Sequence, residues 1–421
     1  MSITASLLNA DFSQVFIVLQ VLSFLLFFAM IFFLPKLIVW QANRRMNSAI
    51  LDLKAFHNDA EEYFLENMKP LSNFEEKYDS MKNFQISEPT SLDPAGMVDR
   101  LENVLNASDH KFKRFVEKNA DTEDEEELAD LKMAFQGVVG THQMKKAVQH
   151  FKELINKTGN FQIVTLVQMM LPIYKELAES QKGATRAFSD NAPIGDGIGP
   201  MIAAKMITEQ PEEIADEIVH SEEKIDEQKV HVIKSKGPGA RLGKYGEAVE
   251  KVTEENDLEA FITVDAASKL ESEKTGSVNE GVGVMMGGPG VEKSRIEEVA
   301  VEHDIPLEGI AVKQSAPEAA KPMKKEIFEA WKPGRKKVEE LVKEFDGEVA
   351  VIGVGNTCGV GNTREETQGI HNKLRKYWKE YEEQDEDEVS QMGLMSMFGG
   401  GGQAKELQEK TKSIMWRMPH L

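Results

Sequence analysis

A run of glycines and cations at residues 234–246, KSKGPGARLGKYG, has the composition of a loop that holds a phosphate group. Glycine lets the backbone approach an anion closely, and the free N–H groups at the start of a following helix favour negative charge. The sequence therefore predicts that this loop binds the phosphate of a small molecule or nucleotide. The residues expected to contribute are Lys236, Gly237, Gly239, Gly243 and Lys244.

The spacing of this run matches neither standard nucleotide motif. It reads Gly-x-Gly-x-x-x-Gly, whereas the dinucleotide pattern is Gly-x-Gly-x-x-Gly. The Walker pattern also fails, because Gly239 and Gly243 are one residue too close and Tyr245 stands where Ser or Thr would hold Mg²⁺. The alternative interpretation is a glycine turn with solvated lysines.

A second set of reactive side chains lies in DAASKLESEKTG, residues 265–276. Asp265 comes at the end of an apolar, β-branched segment, and Lys269 follows it. A carboxylate and an ammonium group placed there could serve as acid, base or Mg²⁺ ligand. A dinucleotide fold would also place its ribose-binding acid at Asp265. The alternative is a charged surface loop, since charged residues are mostly exposed.

Two further segments carry glycines where a ligand could approach. In EGVGVMMGGPGVEK, residues 280–293, Gly287, Gly288 and Gly290 stand just before a helix predicted to begin near Val291. That position suits an anion, and close packing against a neighbouring segment is the equal alternative.

The last glycine segment, GVGNTCGVGNT at residues 353–363, follows a predicted strand and repeats GVGNT around Cys358. Gly355 and Asn356 are candidate ligand contacts, because glycine permits approach and asparagine hydrogen-bonds a ligand or its own turn. No histidine lies near Cys358 in sequence, which favours a small structural residue over a nucleophile. PIGDGIGP, residues 193–200, is a segment of the same kind.

These segments must be positioned by an α/β fold. Strand-like and helix-like patterns alternate from a predicted hairpin around Asp226 to a strand at 348–356. Strands separated by helices imply parallel βαβ units, so we expect a Rossmann-like domain with a mostly parallel sheet. Ligands of such sheets bind at the carboxyl ends of the strands, where the glycine segments fall.

Glycine usage sets the domain boundaries. Of 31 glycines, only Gly96 precedes residue 137, and twenty lie between Gly195 and Gly361. We therefore expect a helical region and then a glycine-rich α/β domain, followed by a charged helix and a flexible Met/Gly-rich tail. The ranges predicted for these four parts are 41–190, 191–363, 364–390 and 391–421.

The N-terminal part predicts a membrane anchor. Residues 12–35 carry no charge, and a helix needs about 20 mostly apolar residues to cross a bilayer. No Lys or Arg precedes Lys36 and no small-residue cleavage pattern follows, so a cleaved signal peptide is disfavoured. We expect contact with membrane lipid through Phe12 to Trp40, with a transmembrane helix over 12–40.

The cations after this run set the expected orientation. Lys36, Arg44 and Arg45 follow the apolar residues, and by the positive-inside rule they face the cytoplasm. The sequence thus predicts a single-pass protein of the cell membrane, with residues 1–11 outside and the later domains cytoplasmic.

Composition limits the partners. The net charge of −21 argues against nucleic acid, because binding phosphate backbones needs a basic surface. A single cysteine excludes an internal disulfide framework and a cysteine-cluster metal site. Protein partners or a homo-oligomer remain open, and the metal prediction is limited to Mg²⁺ accompanying a nucleotide.

The chain resembles an uncharacterised archaeal family of membrane-anchored proteins, catalogued as a domain of unknown function. The resemblance rests on the N-terminal apolar run and on the order of the glycine motifs, from GDGIGP to GVGNTCGVG. It covers most of residues 10–363 and leaves out the tail after about residue 390. Because no activity is established for the family, the resemblance implies no catalytic role for any residue.

Two functions therefore stay open. The first is a membrane-tethered enzyme or sensor that binds a phosphorylated small molecule or nucleotide. The second is a scaffold whose glycines serve tight packing and whose acidic helices recruit proteins. Fold alone does not decide between them. Convergence of the glycine loops on one pocket with Asp265 and Lys236 would favour the first.

Overall fold

The computed structural model describes residues 4–71, 74–84, 96–284 and 290–383. The chain forms two compact units, each assembled from two stretches of sequence. The first holds Met1–Gln85 and Phe135–Arg186, and the second holds Ile86–Ala134 and Ala187–Leu421. The predicted helical region is thus divided between the units, and the predicted tail at 391–421 lies outside the described residues.

The first unit is built from long helices. They are α1 (Thr4–Met68), α2 (Glu75–Lys82), most of α4 (Glu125–Thr158) and most of α5 (Phe161–Ser189). Small and apolar side chains on one face of α1, such as Ala42 and Met46, are buried against α4 and α5. Packing of these apolar faces stabilises the helices more than their intrinsic propensity does.

The N-terminal part of α1 is exposed and apolar. Large apolar side chains from Phe16 to Leu34 keep 42% or more of their surface exposed. Within the described residues, one helix is long and apolar enough to cross a membrane, with a mean hydropathy of 2.8 in its best window. The segment predicted at 12–40 is therefore the first part of a continuous helix that ends at Met68.

The second unit contains a seven-stranded sheet. In space the strands follow the order β1-β2-β3-β7-β4-β6-β5. Their bounds are β1 Glu212–Ala215, β2 Ile218–Ile225, β3 Gln228–Ser235, β4 Leu258–Ser268, β5 Val278–Val282, β6 Leu307–Gln314 and β7 Glu348–Gly353. The predicted hairpin is confirmed, since β2 and β3 pair antiparallel around Asp226.

The sheet is mixed. Its four central strands β3, β7, β4 and β6 are parallel, whereas β1, β2 and β5 pair antiparallel with their neighbours. The last strand of the chain, β7, enters between β3 and β4, an order different from that of the Rossmann fold. The carboxyl ends of the four parallel strands still meet at one edge of the sheet.

Helices cover both faces of the sheet. Alternate residues of the strands enter two separate cores, so Ile262 and Val264 face one side and Phe261 faces the other. The first side carries α6, α11 and α12, and the second carries α7 and α8. The remaining helical bounds are α3 Met97–Asn119, α6 Ile198–Ala204, α7 Tyr245–Glu255, α8 Val291–Glu302, α9 Ala316–Ala320, α10 Lys325–Glu329, α11 Trp331–Val342 and α12 370–383.

The helical segment between β6 and β7 breaks at Ala330, where α10 ends and α11 begins. Pro333 lies in the first turn of α11, where a proline removes no helical hydrogen bond. The predicted charged helix after residue 364 begins with a 3₁₀ turn at Glu366–Gly369 and continues as α12.

Candidate functional site

Asp265 lies at the carboxyl edge of the parallel strands. It follows Val264, which pairs with Gly353 at the end of β7, but β4 itself continues to Ser268 beside β6, so the prediction that Asp265 ends its strand is wrong. The side chain is 2% exposed, and its Oδ1 accepts a hydrogen bond from the Ala266 N–H at 2.5 Å. Burial, together with the nearby carboxylate of Asp196, raises the pKa of Asp265 well above its ordinary value. Burial therefore removes the water that would stabilise a charged Asp265 side chain, and this disfavours its ionised form.

Asp196 reaches the same edge from the segment PIGDGIGP. It lies in a 3₁₀ turn at Gly195–Gly197, and its Oδ2 accepts a hydrogen bond from the Asn356 N–H at 3.0 Å. Burial raises the pKa of Asp196, although the Asn356 N–H opposes that shift. The side chain nevertheless keeps some exposed surface, in contrast to Asp265.

Glycine allows this approach. A Cβ on Gly199 would collide with the carbonyl oxygens of Val264, within β4, and of Val354, just after β7. Gly355 has a positive φ of 135°, and a Cβ there would collide with the Asp196 carbonyl oxygen. These glycines bring the Asp196 segment against the strand ends, which places Asp196 beside Asp265.

Two buried amides complete the group. Gln314, the last residue of β6, and Asn356, after β7, are each 2% exposed. Both amide atoms of Gln314 and the Nδ2 of Asn356 have no hydrogen-bond partner among the described residues. The Oε1 of Gln314 lies 2.6 Å from where a Cβ on Gly195 would be, next to Asp196. We call Asp196, Asp265, Gln314 and Asn356 the carboxyl-edge cluster.

The cluster offers a defined chemistry. Its carboxyl and amide oxygens accept hydrogen bonds, and its amide N–H groups and any protonated carboxyl donate them. Such a mixture suits hydroxyl groups, and carboxylate with amide oxygens also suits Mg²⁺. Among the described residues no group of three or more His, Cys, Asp or Glu side chains is arranged to hold a metal ion. Any cation here would therefore depend on the amides as well.

The backbone of loop 234–246 already holds carboxylates of the protein. The Gly239 N–H donates to Glu126 Oε2 at 2.5 Å, and the Ala240 N–H donates to Asp130 Oδ1 at 2.8 Å. Both acids belong to the start of α4, within the same unit. Burial raises the pKa of Asp130 to about 7, against its hydrogen bonds from Asn191 and Ala240.

The other predicted residues of this loop are also engaged. Lys236 pairs with Glu213 at 2.8 Å, and Lys244 pairs with Glu102 at 3.1 Å. A Cβ on Gly237 would collide with the Val360 carbonyl oxygen. Gly243 has a positive φ of 69°, and a Cβ there would press on Ile218. The loop packs against its own protein, and the hydroxyl of Thr357, which follows Asn356, donates to the carbonyls of Lys236 and Gly239.

Lys269 lies in a separate ion-pair group. Its Nζ donates to Thr275 Oγ1 at 2.7 Å and lies 3.4 Å from Glu318. Burial of Glu318 is outweighed by a bond from the Ser315 N–H and by the Lys324 cation, which lower the pKa of Glu318 to about 2. Lys269 therefore helps to stabilise the Glu318 carboxylate. Among the described residues, no hydrogen bond or ion pair joins Lys269 to Asp265.

The third predicted segment is only partly described. Gly290 precedes α8 with a positive φ of 81°, and no atom lies within 4 Å of where its Cβ would be. Gly287 and Gly288 lie outside the described residues. At the start of α8, Glu292 accepts a hydrogen bond from the Gly246 N–H at 3.0 Å. The carboxylate of Glu292 in α8 thus takes an N–H group at the start of α7, the helix after loop 234–246.

Sequence reasoning missed Asp196 and Gln314 as site residues, and it placed Lys234 only among the cations of the loop. Lys234 is fully buried, and its Nζ donates to the Ser235 carbonyl at 2.7 Å and to Asn362 Oδ1 at 2.9 Å. Burial lowers the pKa of Lys234 to about 7. The signal for Asp196 was its place between glycines, whereas a buried amide at a strand end leaves no sequence pattern.

Comparison with known proteins places most of the chain in one family. Residues 20–191 match the family model described as "Protein of unknown function (DUF1512) N-terminal domain". Residues 194–361 match the model "Domain of unknown function (DUF1512) C-terminal". No curated protein and no solved structure matches the chain. The boundary between the two models falls just before the Asp196 segment.

Proposed function

We propose that this chain, which belongs to the DUF1512 family, is a single-pass membrane protein whose cytoplasmic α/β unit binds a nucleotide or another phosphorylated small molecule. The hydroxyl groups of the ligand's sugar would lie at the carboxyl-edge cluster. Whether the bound molecule is also transformed is a separate question, on which the proposal does not depend.

The observation that carries the proposal is the unpartnered polar surface of Gln314 and Asn356. Leaving a buried donor or acceptor unsatisfied costs about 1–3 kcal/mol per group. Gln314 Oε1 lies next to Gly195, the Asn356 N–H donates to Asp196, and the charge of Asp196 acts on Asp265, all at the edge where open α/β sheets bind ligands. A ligand that hydrogen-bonds these amides would offset that cost, and sugar hydroxyls both donate and accept.

A phosphate group itself would not lie against two carboxylates. It would need Mg²⁺, for which carboxylate oxygens are suitable ligands, or a cation supplied elsewhere in the unit. Binding of a phosphorylated ligand must therefore be measured both with and without Mg²⁺.

The anchor is proposed from exposure and charge. The side chains from Phe16 to Leu34 form an exposed apolar helix surface, which lipid would cover. Lys36, Arg44 and Arg45 follow it, and by the positive-inside rule the residues after Trp40 would be cytoplasmic. A C-terminal reporter that is active only outside the cytoplasm should stay silent, and activity from it would overturn this orientation.

The binding test uses the full-length protein in detergent micelles. Its thermal unfolding is followed with nucleotides and phosphosugars, with and without Mg²⁺. A ligand at about 100 times its Kd should stabilise the protein by about 2.7 kcal/mol. The variant Gln314→Met removes the unpartnered amide and keeps a side chain of similar shape. Without ligand, the variant should be more stable than the parent. With ligand, its thermal unfolding should show no shift.

The matched control is Gln368→Met, the same change at an exposed glutamine. It should leave both the unliganded stability and the ligand-induced shift unaltered. A shift that persists in Gln314→Met would place the ligand away from the carboxyl-edge cluster.

A scaffold function is the second candidate, and one observation favours it. The glycines and lysines of loop 234–246 are engaged by packing and ion pairs within the protein. Glycines used in this way need no ligand. The absence of any stabilising compound in the screen, with the Gln314→Met protein simply more stable, would support this candidate.

A further inference from the structure

Cations gather at the end of the first unit where α1 leaves its exposed apolar stretch. They are Lys36, Arg44 and Arg45 of α1 and Lys152 and Lys157 of α4, which we call the basic collar. Residues 36–51 contain no Asp or Glu, and Glu153 is the single carboxylate in residues 150–161. This local excess of positive charge stands out in a chain of net charge −21.

The arginines of α1 point away from the helices of the unit. Ala42 and Met46 are fully buried in the core with α4 and α5, whereas Arg44 and Arg45 are exposed. The exposed face also lines a shallow depression formed by Leu37, Trp40, Gln41, Arg44, Arg45 and Ser48. The guanidinium of Arg44 lies 6.0 Å from the centre of the Trp40 ring, so this face combines positive charge with an aromatic side chain.

The end of α4 adds its cations at the same level. Asn156 Oδ1 accepts a hydrogen bond from Asn43 Nδ2 at 2.8 Å, beside Arg44 in sequence. Ile155 is buried with Ala42 in the same core. Lys157 follows Asn156 directly and is exposed. The collar is therefore assembled from two helices by packing, and is not only a short run in the sequence.

Among the described residues, no carboxylate neutralises any of the five cations. In the described ranges, no carboxylate lies within 4.0 Å of Lys36, Arg44, Arg45, Lys152 or Lys157. Many other cations of the chain do pair, for example Lys175 with Asp52 at 2.8 Å further along α1. Unpaired cations of this kind are available to an external anion.

Helix geometry puts Arg44 and Arg45 at the depth of lipid headgroups. Phe16–Val39 spans about 36 Å at 1.5 Å per residue, enough for the hydrocarbon layer of about 30 Å. Trp40 would then lie at the interface, where tryptophan is enriched. Arg44 and Arg45 come about 6–8 Å further along the axis, which is the headgroup layer.

We propose that the basic collar binds the phosphate groups of anionic phospholipids, with Arg44 and Arg45 as the principal contacts. Guanidinium groups bind phosphate through paired hydrogen bonds, and clusters of four to eight cations next to a membrane span favour anionic lipid. The collar would hold an otherwise acidic protein against an anionic membrane surface. This inference rests on the membrane anchoring in the proposed function and is independent of the ligand at the carboxyl-edge cluster.

The test measures which lipid contacts Trp40 in full-length protein reconstituted in nanodiscs. Phosphatidylglycerol or phosphatidylcholine, brominated near the glycerol, is mixed in equal amounts with the unbrominated form of the other lipid. Brominated phosphatidylglycerol should quench tryptophan fluorescence more strongly, and raised salt should weaken the preference. The relative binding constant should fall about fivefold in Arg44→Gln and about 30-fold in Arg44→Gln/Arg45→Gln.

The control variant is Lys54→Gln/Lys77→Gln, which removes the same charge from exposed positions elsewhere in the first unit. It should keep the preference for phosphatidylglycerol. Equal quenching by both lipids, or an unchanged preference in the arginine variant, would overturn the inference. Millimolar inorganic phosphate at constant ionic strength should have no effect, and a loss of preference there would assign the collar to soluble phosphates instead.

The outcomes also separate this inference from the proposed function. A protein that is not retained in nanodiscs would contradict the anchoring and the collar together. A protein that is retained without any lipid preference would contradict the collar alone.

Discussion

The backbone N–H of Gly239 donates to Glu126 Oε2 across 2.5 Å, and the guanidinium of Arg241 donates to the same oxygen. The next residue, Ala240, donates to Asp130 of the same helix. Loop 234–246 thus presents consecutive N–H groups and an arginine to an anion, and that anion is a carboxylate of the protein. A phosphate could enter this position only by displacing the start of α4.

Replacing Glu126 should therefore destabilise the second unit. Glu126→Ala leaves the buried guanidinium of Arg241 with the Glu217 carboxylate at 3.7 Å and the Glu125 carbonyl at 3.4 Å, and frees the Gly239 N–H. Losing one partner of a fully buried pair costs about 3–5 kcal/mol. Because Glu126 is partly exposed and Glu217 remains, we expect about 2 kcal/mol. Urea unfolding of the full-length protein measures this loss.

The neighbouring variant Glu125→Ala is the control, because Arg241 contacts only the backbone carbonyl of Glu125. It should change the free energy of unfolding by no more than about 0.5 kcal/mol. Equal effects of the two variants would mean that the Glu126 carboxylate does not support the loop.

Lys234 should give the protein a stability that rises with pH. Its folded pKa is lowered to about 7 by burial, below the value of an unfolded lysine. Between about pH 7 and pH 10 the unfolded state then binds more protons than the folded state, so the free energy of unfolding increases with pH. Lys234→Met should remove a slope of up to about 1.4 kcal/mol per pH unit in this window.

Urea unfolding at several pH values, compared between parent and variant, isolates this contribution. Lys224→Met makes the same change at an exposed position of the neighbouring strand and should keep the parent's slope. If Lys234→Met also keeps that slope, the buried amine is charged in the folded protein throughout the window.

Local patterns predicted much of the fold. The hairpin around Asp226, the alternation of strands and helices after it, and the exposed apolar helix each depend on residues close in sequence. The position of β7 between β3 and β4 does not, because it depends on contacts between distant segments. A chain of alternating elements is compatible with several strand orders, so the order could not be read from the pattern.

The site was predicted less well for the same reason. Asn356 was expected after the end of a strand and lies there, whereas Asp265 lies within β4, which continues to Ser268 because it pairs with β6 beyond the end of β7. Asp196 joins them through glycine contacts made far away in sequence. Lys236 and Lys244 have the composition of a phosphate site but are paired with Glu213 and Glu102, which the loop sequence cannot reveal.

Gly199 should tolerate no side chain. A Cβ there would collide with the carbonyl oxygens of Val264 in β4 and of Val354 just after β7, and backbone atoms of a central sheet cannot easily move. Overpacking of this kind costs about 1–3 kcal/mol, so Gly199→Ala should lower the thermal midpoint and weaken ligand binding by displacing Asp196.

Gly369→Ala is the matched substitution, since no atom lies within 4 Å of its Cβ position and its φ is negative. We expect it to be neutral or stabilising by about 0.5 kcal/mol, because alanine restricts the unfolded chain. Equal destabilisation by both substitutions would show that the approach of Gly199 to the strand ends is not what limits this position.

Asp265 distinguishes a ligand-binding carboxyl from a structural one. Asp265→Asn keeps the size of the side chain and an oxygen that can accept from the Ala266 N–H, while removing the charge. The pKa of Asp265 is raised well above its unfolded value, so the folded state binds more protons and the parent loses stability as the pH rises above about 4. The variant should escape that loss and be at least as stable as the parent at neutral pH.

The compound that stabilises the parent should no longer stabilise the Asp265→Asn variant. A neutral amide cannot replace a carboxyl in holding Mg²⁺, and it has one acceptor oxygen where a carboxylate has two. Thermal unfolding with and without that compound measures the loss of stabilisation. The control is Asp226→Asn, which makes an equal charge change in the exposed β2–β3 turn and should respond to the compound like the parent. A variant that unfolds would make Asp265 a structural acceptor for its own strand end. A stable variant that still binds would remove Asp265 from the site and leave Asp196 with the two amides to hold the ligand.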